Sequence, residues 1–230
     1  METTVNMNIT TRFYLIISFV IIILLYSACK ENKSLPHTHT SRPPLHDSLS
    51  NFIYTDHRDG QQYPVVKIGD QWWFAENLNY NTKLSFQYAD EKTAPHEWGR
   101  YYHITEIDSV CPRGWRVPNL NDWKPLQELI DSLGVQSLMD STKWKGNSDA
   151  TNSSGLSLHP SGFGQKKDFI LQYINSSIWF KDTNDTTSHW HLHIDGHNNA
   201  DVYYFHTHDN EVFIRRFAVR CVCDTFVQGK

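Results

Sequence analysis

The chain has 230 residues, a formal net charge of −4 and 13% aromatic residues. Rings in this number can form a buried core, so a wholly disordered chain is excluded, and the length suits one domain with appendages better than two domains. The sequence has no heptad pattern and no basic block, which excludes a long coiled coil and argues against nucleic acid as a partner.

The first 28 residues have the pattern of an export signal. The apolar run from Phe13 to Leu25 is shorter than the roughly 20 apolar residues that a membrane-spanning helix needs. Ser27 and Ala28 stand directly before Cys29, and this sequence resembles the lipobox at which bacterial lipoproteins are cleaved and acylated. We therefore expect residues 1–28 to be a signal peptide and Cys29 to be lipidated. An uncleaved signal anchor is the alternative.

The stretch from residue 29 to residue 51 is predicted to be a flexible tether. It contains several prolines, serines and threonines but almost no hydrophobic periodicity, so it cannot bury enough surface to become ordered. Residues 52–224 carry the rings and the hydrophobic periodicity of a folded domain. Residues 225–230 are predicted to be a short tail.

Two short runs early in this domain predict a β-hairpin. Tyr63 to Ile68 and Gln71 to Ala75 are rich in β-branched and aromatic residues, and the dipeptide Gly69-Asp70 between them favours a turn. The run from Arg100 to Ile107 has a similar aromatic and β-branched composition. It is a further candidate for extended structure.

One segment has the spacing of an amphipathic helix. We predict that this helix begins near Asn121 and ends at Gly134, with Pro125 in the fourth helical position, where it costs at most one hydrogen bond. Its apolar residues recur at helical spacing: Trp123, Leu126, Leu129, Ile130 and Leu133.

From Gly155 onward, short strand-like runs alternate with loops rich in Asn, Asp, Gly and Ser. The predicted strands are Ile178–Phe180, Trp190–Ile194, Val202–His206 and Val212–Val222. Short strands, one clear helix and then more strands, joined by long loops, predict an α+β domain with a mainly antiparallel sheet.

The cysteines predict a disulfide. If Cys29 is lipidated, three cysteines remain in an exported chain, where disulfides persist. Cys221 and Cys223 stand two residues apart on a predicted strand, so they are poorly placed to pair with each other. We expect one of them to pair with Cys111, with Cys221 preferred and Cys223 left as a thiol. Metal binding by the Cys-x-Cys pair is the alternative.

The domain contains several short phrases of distinctive composition. The longest are Gln71–Leu78 (QWWFAENL), Cys111–Pro118 (CPRGWRVP) and Ala218–Val222 (AVRCV). Shorter ones are Gly155–Ser157, Gly162–Phe163 and Ser176–Trp179. Together, and in this order, they resemble the Fibrobacter succinogenes major paralogous domain. The resemblance covers residues 52–224.

The resemblance implies a C-type-lectin-like fold on an exported, often lipid-anchored bacterial protein. We therefore expect a lipoprotein of the bacterial envelope, placed at the outer membrane and held to the bilayer through Cys29. The activity of the family is not generally established, and adhesion or contact with glycans is the usual expectation.

Histidines alternate with other residues along two predicted strands. They are His189, His191 and His193 on the first strand and His206 and His208 at the second. Imidazoles on one face of each of two neighbouring strands can ligate Zn²⁺. The alternative is that they face the solvent, opposite a buried face formed by Trp190 and Leu192.

Aromatic residues and oxygen-rich loops indicate a second kind of site. The rings of Trp179, Trp190 and Tyr203 are candidates for stacking on sugar faces, while packing in the core is the alternative. Asp195 and Asn198 can fix sugar hydroxyls or bind Ca²⁺, although turn formation explains them equally well. We expect no required cofactor, with calcium or zinc as the ions to consider.

No catalytic motif occurs in the chain: it has no G-x-S-x-G, no H-E-x-x-H and no phosphate-binding loop. Glu76 and Glu97 are the carboxylates that an acid–base pair would use. We expect a non-catalytic, surface-anchored protein that recognises glycan or other envelope components. The alternatives are a structural subunit of a surface protein assembly and an enzyme that uses Cys223 or a bound metal.

Overall fold

The computed structural model describes most of the chain that follows the predicted tether. The described residues are 52–88, 96–146, 149–165, 168–184, 188–197, 199–206 and 213–227. The predicted signal peptide, Cys29 and the tether lie outside these residues, as does the end of the predicted tail.

The described residues contain short strands, a long α-helix and many connecting loops. The strands are β1 (Phe52–Thr55), β2 (Gln62–Ile68), β3 (Gln71–Phe74), β4 (Phe163–Gln165), β5 (Asp168–Ile170), β6 (Asn175–Lys181), β7 (Ser188–Asp195), β8 (Ala200–His206), β9 (Arg215–Arg216) and β10 (Val222–Cys223). The helix α1 is Leu120–Leu133, and 3₁₀ turns span His96–Trp98, Ile104–Glu106 and Val135–Ser137. The named strands pair antiparallel, which confirms the predicted α+β class. Within this part of the chain, no helix has the length and apolar character that crossing a membrane requires.

The predicted hairpin is confirmed and forms the centre of a four-stranded sheet. Strands β2 and β3 pair with Ile68 opposite Gln71, and β1 and β10 are the outer strands. The connecting turn favours Gly69, because its φ of 60° lies in the left-handed region and a Cβ there would stand 3.1 Å from Pro125.

This central sheet separates two apolar clusters. Alternate residues of β2 enter different clusters: Tyr63 and Val65 enter the first and Ile68 enters the second, because neighbouring side chains of a strand point to opposite faces. Large members of the first cluster are Phe74, Trp115, Trp179 and Phe217, and of the second Trp73, Leu126, Ile178 and Phe180. Both faces of the sheet are therefore buried, which explains the consecutive apolar residues of β3.

The three-stranded sheet β6–β7–β8 contributes to both clusters as well. Ile178 on β6 enters the second cluster, and Trp179 beside it enters the first. On β7, Leu192 lies opposite Ile178 and His191 lies opposite Trp179. The side chain of His191 therefore faces the interior of the protein.

Helix α1 begins at Leu120, close to the predicted start near Asn121. Asn119 is its N-cap and accepts a hydrogen bond from the backbone N–H of Asn121, while Asp122 accepts one from the backbone N–H of Asn119. This capping box fixes the first turn, so Pro125 occupies the sixth helical position instead of the fourth. The predicted end at Gly134 is confirmed.

The run Arg100–Ile107 does not form a named strand. Tyr101 and Tyr102 pair with other segments only as isolated bridges. The chain then enters a 3₁₀ turn, whose start is capped because the ring of His103 accepts a hydrogen bond from the backbone N–H of Thr105. This local cap ends the extended backbone.

The predicted strand Val212–Val222 was also wrong as one continuous element. Within its described part, Arg215 and Arg216 form β9, and β10 begins at Val222. Between these strands, Phe217 forms a bridge with Tyr102 and Ala218 forms one with Ile178. The segment thus passes from one sheet to another, so it cannot keep a single pairing partner.

The start of the predicted tail packs against the domain. The ring of Phe226 lies 5.4 Å from that of Trp72 and 5.8 Å from that of Trp115. The packed part of the chain therefore extends past Asp224.

Candidate functional site

The structure joins Cys111 to Cys221 in a disulfide and leaves Cys223 as a buried free thiol. This confirms the preferred pairing. The bond connects residues 110 positions apart in the sequence. It therefore links the segment before Trp115 to the end of the domain.

We predict that Cys223 is inert in the native protein. Burial, with the neighbouring carboxylate of Asp224, raises the pKa of its thiol to about 11, so very little thiolate exists at neutral pH. In a chain carrying Cys29→Ser, titration with a chromogenic disulfide reagent at pH 7 should detect no thiol before unfolding and one thiol in urea. Rapid reaction of Cys223 in the native chain would contradict this prediction and favour the cysteine-dependent enzyme.

The prediction that Trp179 binds ligand at the surface was wrong. The side chain is fully buried, its Nε1 donates to the carbonyl of Tyr102 at 2.9 Å, and its ring packs edge-on against Phe217. Its strand runs between the two apolar clusters, so the alternative of core packing applies. Tyr203 lies on β8, opposite His191 of β7.

The carboxylate of Asp195 is engaged in the turn between β7 and β8. It accepts hydrogen bonds from the backbone N–H of His197 at 2.8 Å and of Asn199 at 3.1 Å, and from Nδ2 of Asn199 at 2.9 Å. These bonds close a local turn, so the carboxylate has a structural role. Asn198 lies outside the described residues and stays a prediction.

The predicted histidines occupy different environments. His191 is 4% exposed and stacks on the ring of Phe217 at 4.3 Å. Burial is the main cause that lowers its pKa to about 3, so the imidazole is neutral at pH 7. The ring of His193 lies 2.7 Å from Nδ2 of Asn175, and His189 lines a cleft. The interpretation of the whole set as solvent-facing was therefore wrong at His191.

The described residues contain no set of side chains placed to bind a metal ion. Among the described residues, no group of three His, Cys, Asp or Glu side chains is placed to hold an ion. His206 lies on β8 opposite Ser188, and His208 lies outside the described residues. The zinc and calcium hypotheses therefore rest on the sequence alone.

A polar cleft of about 340 Å³ opens between the start of α1 and the end of β6. This volume lies within the range of small-ligand sites. The charged lining side chains are Asp108, Arg116, Lys181 and Asp182. The uncharged ones are Val117, Asn119, Thr183 and His189, of which only Val117 is apolar. The lining therefore offers charged and hydrogen-bonding groups to a ligand, beside the apolar stems of the same side chains.

Regular structure holds the two walls of this cleft together. The backbone N–H of Lys181 donates to the carbonyl of Pro118 at 2.8 Å, and Asn119 forms a parallel bridge with Lys181. The capping box of α1 fixes Asn119 on one side, and the buried strand β6 fixes Lys181 on the other. The walls are thus held by elements of the fold, which favours a preformed site.

The two cations of the cleft have carboxylate partners. Arg116 contacts Asp122, which is 1% exposed, and lies 3.2 Å from Asp224. The hydrogen bonds to Asp122 are the main cause that raises the pKa of Arg116. Lys181 contacts Asp108. These pairs orient both cations along the wall of the cleft.

Trp190 does not line the cleft, but it orients Asp182, which does. The Nε1 of this half-buried tryptophan donates to Oδ2 of Asp182 at 3.1 Å, and the backbone N–H of Asn184 donates to Oδ1 at 2.8 Å. With both oxygens engaged, the Asp182 carboxylate is held in one direction. Trp190 was predicted to stack on a ligand, and the structure instead gives it this positioning contact.

Sequence reasoning found only part of the cleft. It singled out His189, and Arg116 and Val117 fell within a family phrase, but Asp108 and Lys181 were missed. These two residues lie far apart in the sequence, and no local pattern indicates that they meet. Their contact depends on how the end of β6 packs against the chain after the Ile104–Glu106 turn.

A second polar network lies in the core around Arg220, which is fully buried. Its guanidinium donates to Oδ1 of Asn77 at 2.7 Å, to the carbonyls of Ser157 at 2.6 Å and Phe74 at 3.2 Å, and to that of Leu156. Burial lowers the pKa of Arg220 to about 9. Three of the phrases that carry the family resemblance therefore meet at this arginine, and they indicate a fold more than a surface site.

The two carboxylates considered as an acid–base pair lie close to basic side chains. Lys143 contacts Glu97, and His96 lies 3.9 Å from Glu76. Burial lowers the pKa of Lys143, and the negative charge of Glu76 opposes that shift. Both acids are thus placed near one ammonium group, and catalysis by them stays a hypothesis.

Comparison with known proteins gives one match. Residues 66–223 match the family model described as the Fibrobacter succinogenes major domain. Searches of the curated proteins and of the solved structures found no match. The matched residues make up more than half of the chain, and they include the lining of the cleft and the Arg220 network.

Proposed function

The chain belongs to the Fibrobacter succinogenes major domain family, and from this premise we propose that it is a non-catalytic recognition protein of a bacterial surface. Its ligand is a glycan or another polar component of the envelope, bound in the cleft between α1 and β6. The observation that carries the proposal is the lining of this cleft, in which Val117 is the one apolar side chain among eight.

The chemistry of the lining suits hydroxyl groups. A sugar hydroxyl both donates and accepts hydrogen bonds. Lys181 and Arg116 offer donors, the Asp182 carboxylate offers acceptor lone pairs, and the Asn119 side chain carries both kinds of group. A few such groups at fixed positions orient a ligand in a cleft of this volume.

The lipid anchor and the finer fold assignment belong to the same proposal. The small residues before Cys29 support acylation, and the family resemblance supports a C-type-lectin-like arrangement of the short strands and long connections. Residues 29–51 would then give the domain a reach of tens of ångströms from the outer membrane, at roughly 5–6 Å × √n for a flexible chain. Such a tether suits contact with surface ligands.

A structural role in a surface assembly is the second candidate. The turn between β5 and β6 exposes Leu171, Tyr173 and Ile174 by 41%, 37% and 40%. Leu171 and Tyr173 have φ values of 60° and 69°, a conformation that bulky residues rarely adopt. A partner protein that packs on this turn would account for the exposed apolar side chains.

We predict that Lys181→Ala weakens glycan binding. The substitution removes a donor from the wall of the cleft and frees Asp108, which is exposed enough to be solvated. Binding of the full chain, solubilised in mild detergent, to an oligosaccharide array should identify ligands. Calorimetry with those ligands should show a loss of affinity of about tenfold for Lys181→Ala, the effect of one charge-assisted hydrogen bond.

Lys83→Ala is the matched control, because Lys83 is an exposed lysine that does not line the cleft. It should bind like the unsubstituted chain. An array on which no oligosaccharide binds would reject the glycan proposal. If cross-linking at the Leu171–Ile174 turn then recovered a defined envelope protein, the second candidate would replace it.

A further inference from the structure

We propose that the cleft selects uncharged glycans and discriminates against sulfated or carboxylated ones. This inference rests on the proposed function and names the ligand class of the same site. It is drawn from the way in which the charges of the cleft are paired.

An anionic ligand finds both cations of the cleft already engaged. Lys181 contacts Asp108, so a sulfate that approaches the ammonium group has to displace that carboxylate. Arg116 contacts the buried carboxylate of Asp122 and lies 3.2 Å from Asp224. Because Asp122 is also bonded to the N-cap of α1, this partner cannot leave without disturbing the start of the helix.

The carboxylate of Asp182 also disfavours an anionic ligand. Asp182 follows Lys181 directly in the chain, and both side chains line the cleft. Trp190 and Asn184 hold the two oxygens of Asp182 in place, so the carboxylate is not free to swing away from an incoming anion. Like charges a few ångströms apart repel each other even in water-like surroundings, and more strongly where the site is partly buried.

A cationic sugar is disfavoured for the opposite reason. An ammonium group that reaches Asp108 or Asp182 also comes close to Lys181, and Arg116 lines the same cleft. Uncharged hydroxyl groups avoid both penalties, because they can add hydrogen bonds to the existing ion pairs without displacing either partner. Asn119 and Thr183 add uncharged polar groups to the lining.

The test uses oligosaccharides in matched pairs, each neutral backbone printed beside its sulfated or uronic-acid counterpart. Among the pairs that bind the full chain, the neutral member should bind about tenfold more tightly at low salt. Asp182→Asn keeps the shape of the side chain but removes its charge, so it should reduce this ratio about threefold. Asp131→Asn is the control, because Asp131 lies about 18 Å along α1 from its N-cap, and it should leave the ratio unchanged.

Each outcome bears on the inference. Equal or tighter binding of the charged members would overturn the selection of neutral glycans while leaving glycan recognition in place. An unchanged ratio in Asp182→Asn would overturn the role of this carboxylate. If no member of any pair bound, both this inference and the proposed function would fail.

Discussion

Arg220→Met is expected to lower the free energy of unfolding by about 4 kcal/mol, because it leaves four oxygen acceptors in the core without their donor, at roughly 1 kcal/mol each. These acceptors belong to Asn77, Phe74, Leu156 and Ser157. Water cannot replace the guanidinium at this place, since the side chain is fully buried. Urea unfolding followed by tryptophan fluorescence measures the loss.

A second substitution separates the hydrogen-bond geometry from the charge. Arg220→Lys keeps the positive charge but has a compact ammonium group, which cannot reach four acceptors spread around a planar guanidinium. It should therefore recover only part of the lost stability. Arg113→Met is the matched control, because Arg113 is exposed, and it should change stability by less than about 0.5 kcal/mol. Equal stability of Arg220→Met and the unsubstituted chain would show that the network contributes nothing.

The same network explains why family phrases can be recognised without revealing an activity. Asn77, Ser157 and Arg220 come from three phrases that lie far apart in the sequence, and the structure brings them into direct contact. Ser157 has a φ of 50°, and its backbone and side chain are bonded to Asn152. In this chain the phrases therefore define a backbone route and a buried arginine, and not a surface that binds a ligand.

Local patterns sufficed where local chemistry determines structure. The hairpin around Gly69 and the helix that ends at Gly134 were both predicted in this way. The pairing of Cys111 with Cys221 was predicted from the small number of cysteines and not from a local pattern. The continuous strand over residues 212–222 was wrong because its pairing partners lie in different sheets. No pattern within that segment indicates where one partner is exchanged for another.

The candidate site was harder to predict because burial depends on tertiary packing. An alternating strand has the same sequence pattern whether its polar face meets solvent or a second layer. His191 and Trp179 were therefore given surface roles, although Phe217 packs against both rings in the core. The pair of Asp108 and Lys181 has no local signal at all, since it exists only once β6 has docked.

Loss of the Cys111–Cys221 disulfide is expected to cost about 4–5 kcal/mol in the free energy of unfolding. The bond closes a loop between residues 110 positions apart, and in the chain-entropy model a loop of about this length is worth roughly 4.7 kcal/mol. The double variant Cys111→Ala with Cys221→Ala removes the constraint, leaves neither partner as an unpaired thiol and keeps Cys223 as it is. Urea unfolding of this variant and of the unsubstituted chain, each with and without dithiothreitol, measures the contribution.

The reductant provides the internal control for this prediction. Dithiothreitol should destabilise the unsubstituted chain and have no effect on the double variant, because the variant has no bond to reduce. Cys223→Ala tests whether the loss of a buried cysteine side chain from the first apolar cluster lowers stability by itself. Because this variant keeps the disulfide, its free energy of unfolding should fall by only about 1 kcal/mol. It should still be destabilised by dithiothreitol. If dithiothreitol did not change the stability of the unsubstituted chain, a structural role for the bond would be contradicted. The pairing of β10 with β3 would then have to hold the end of the domain without the disulfide.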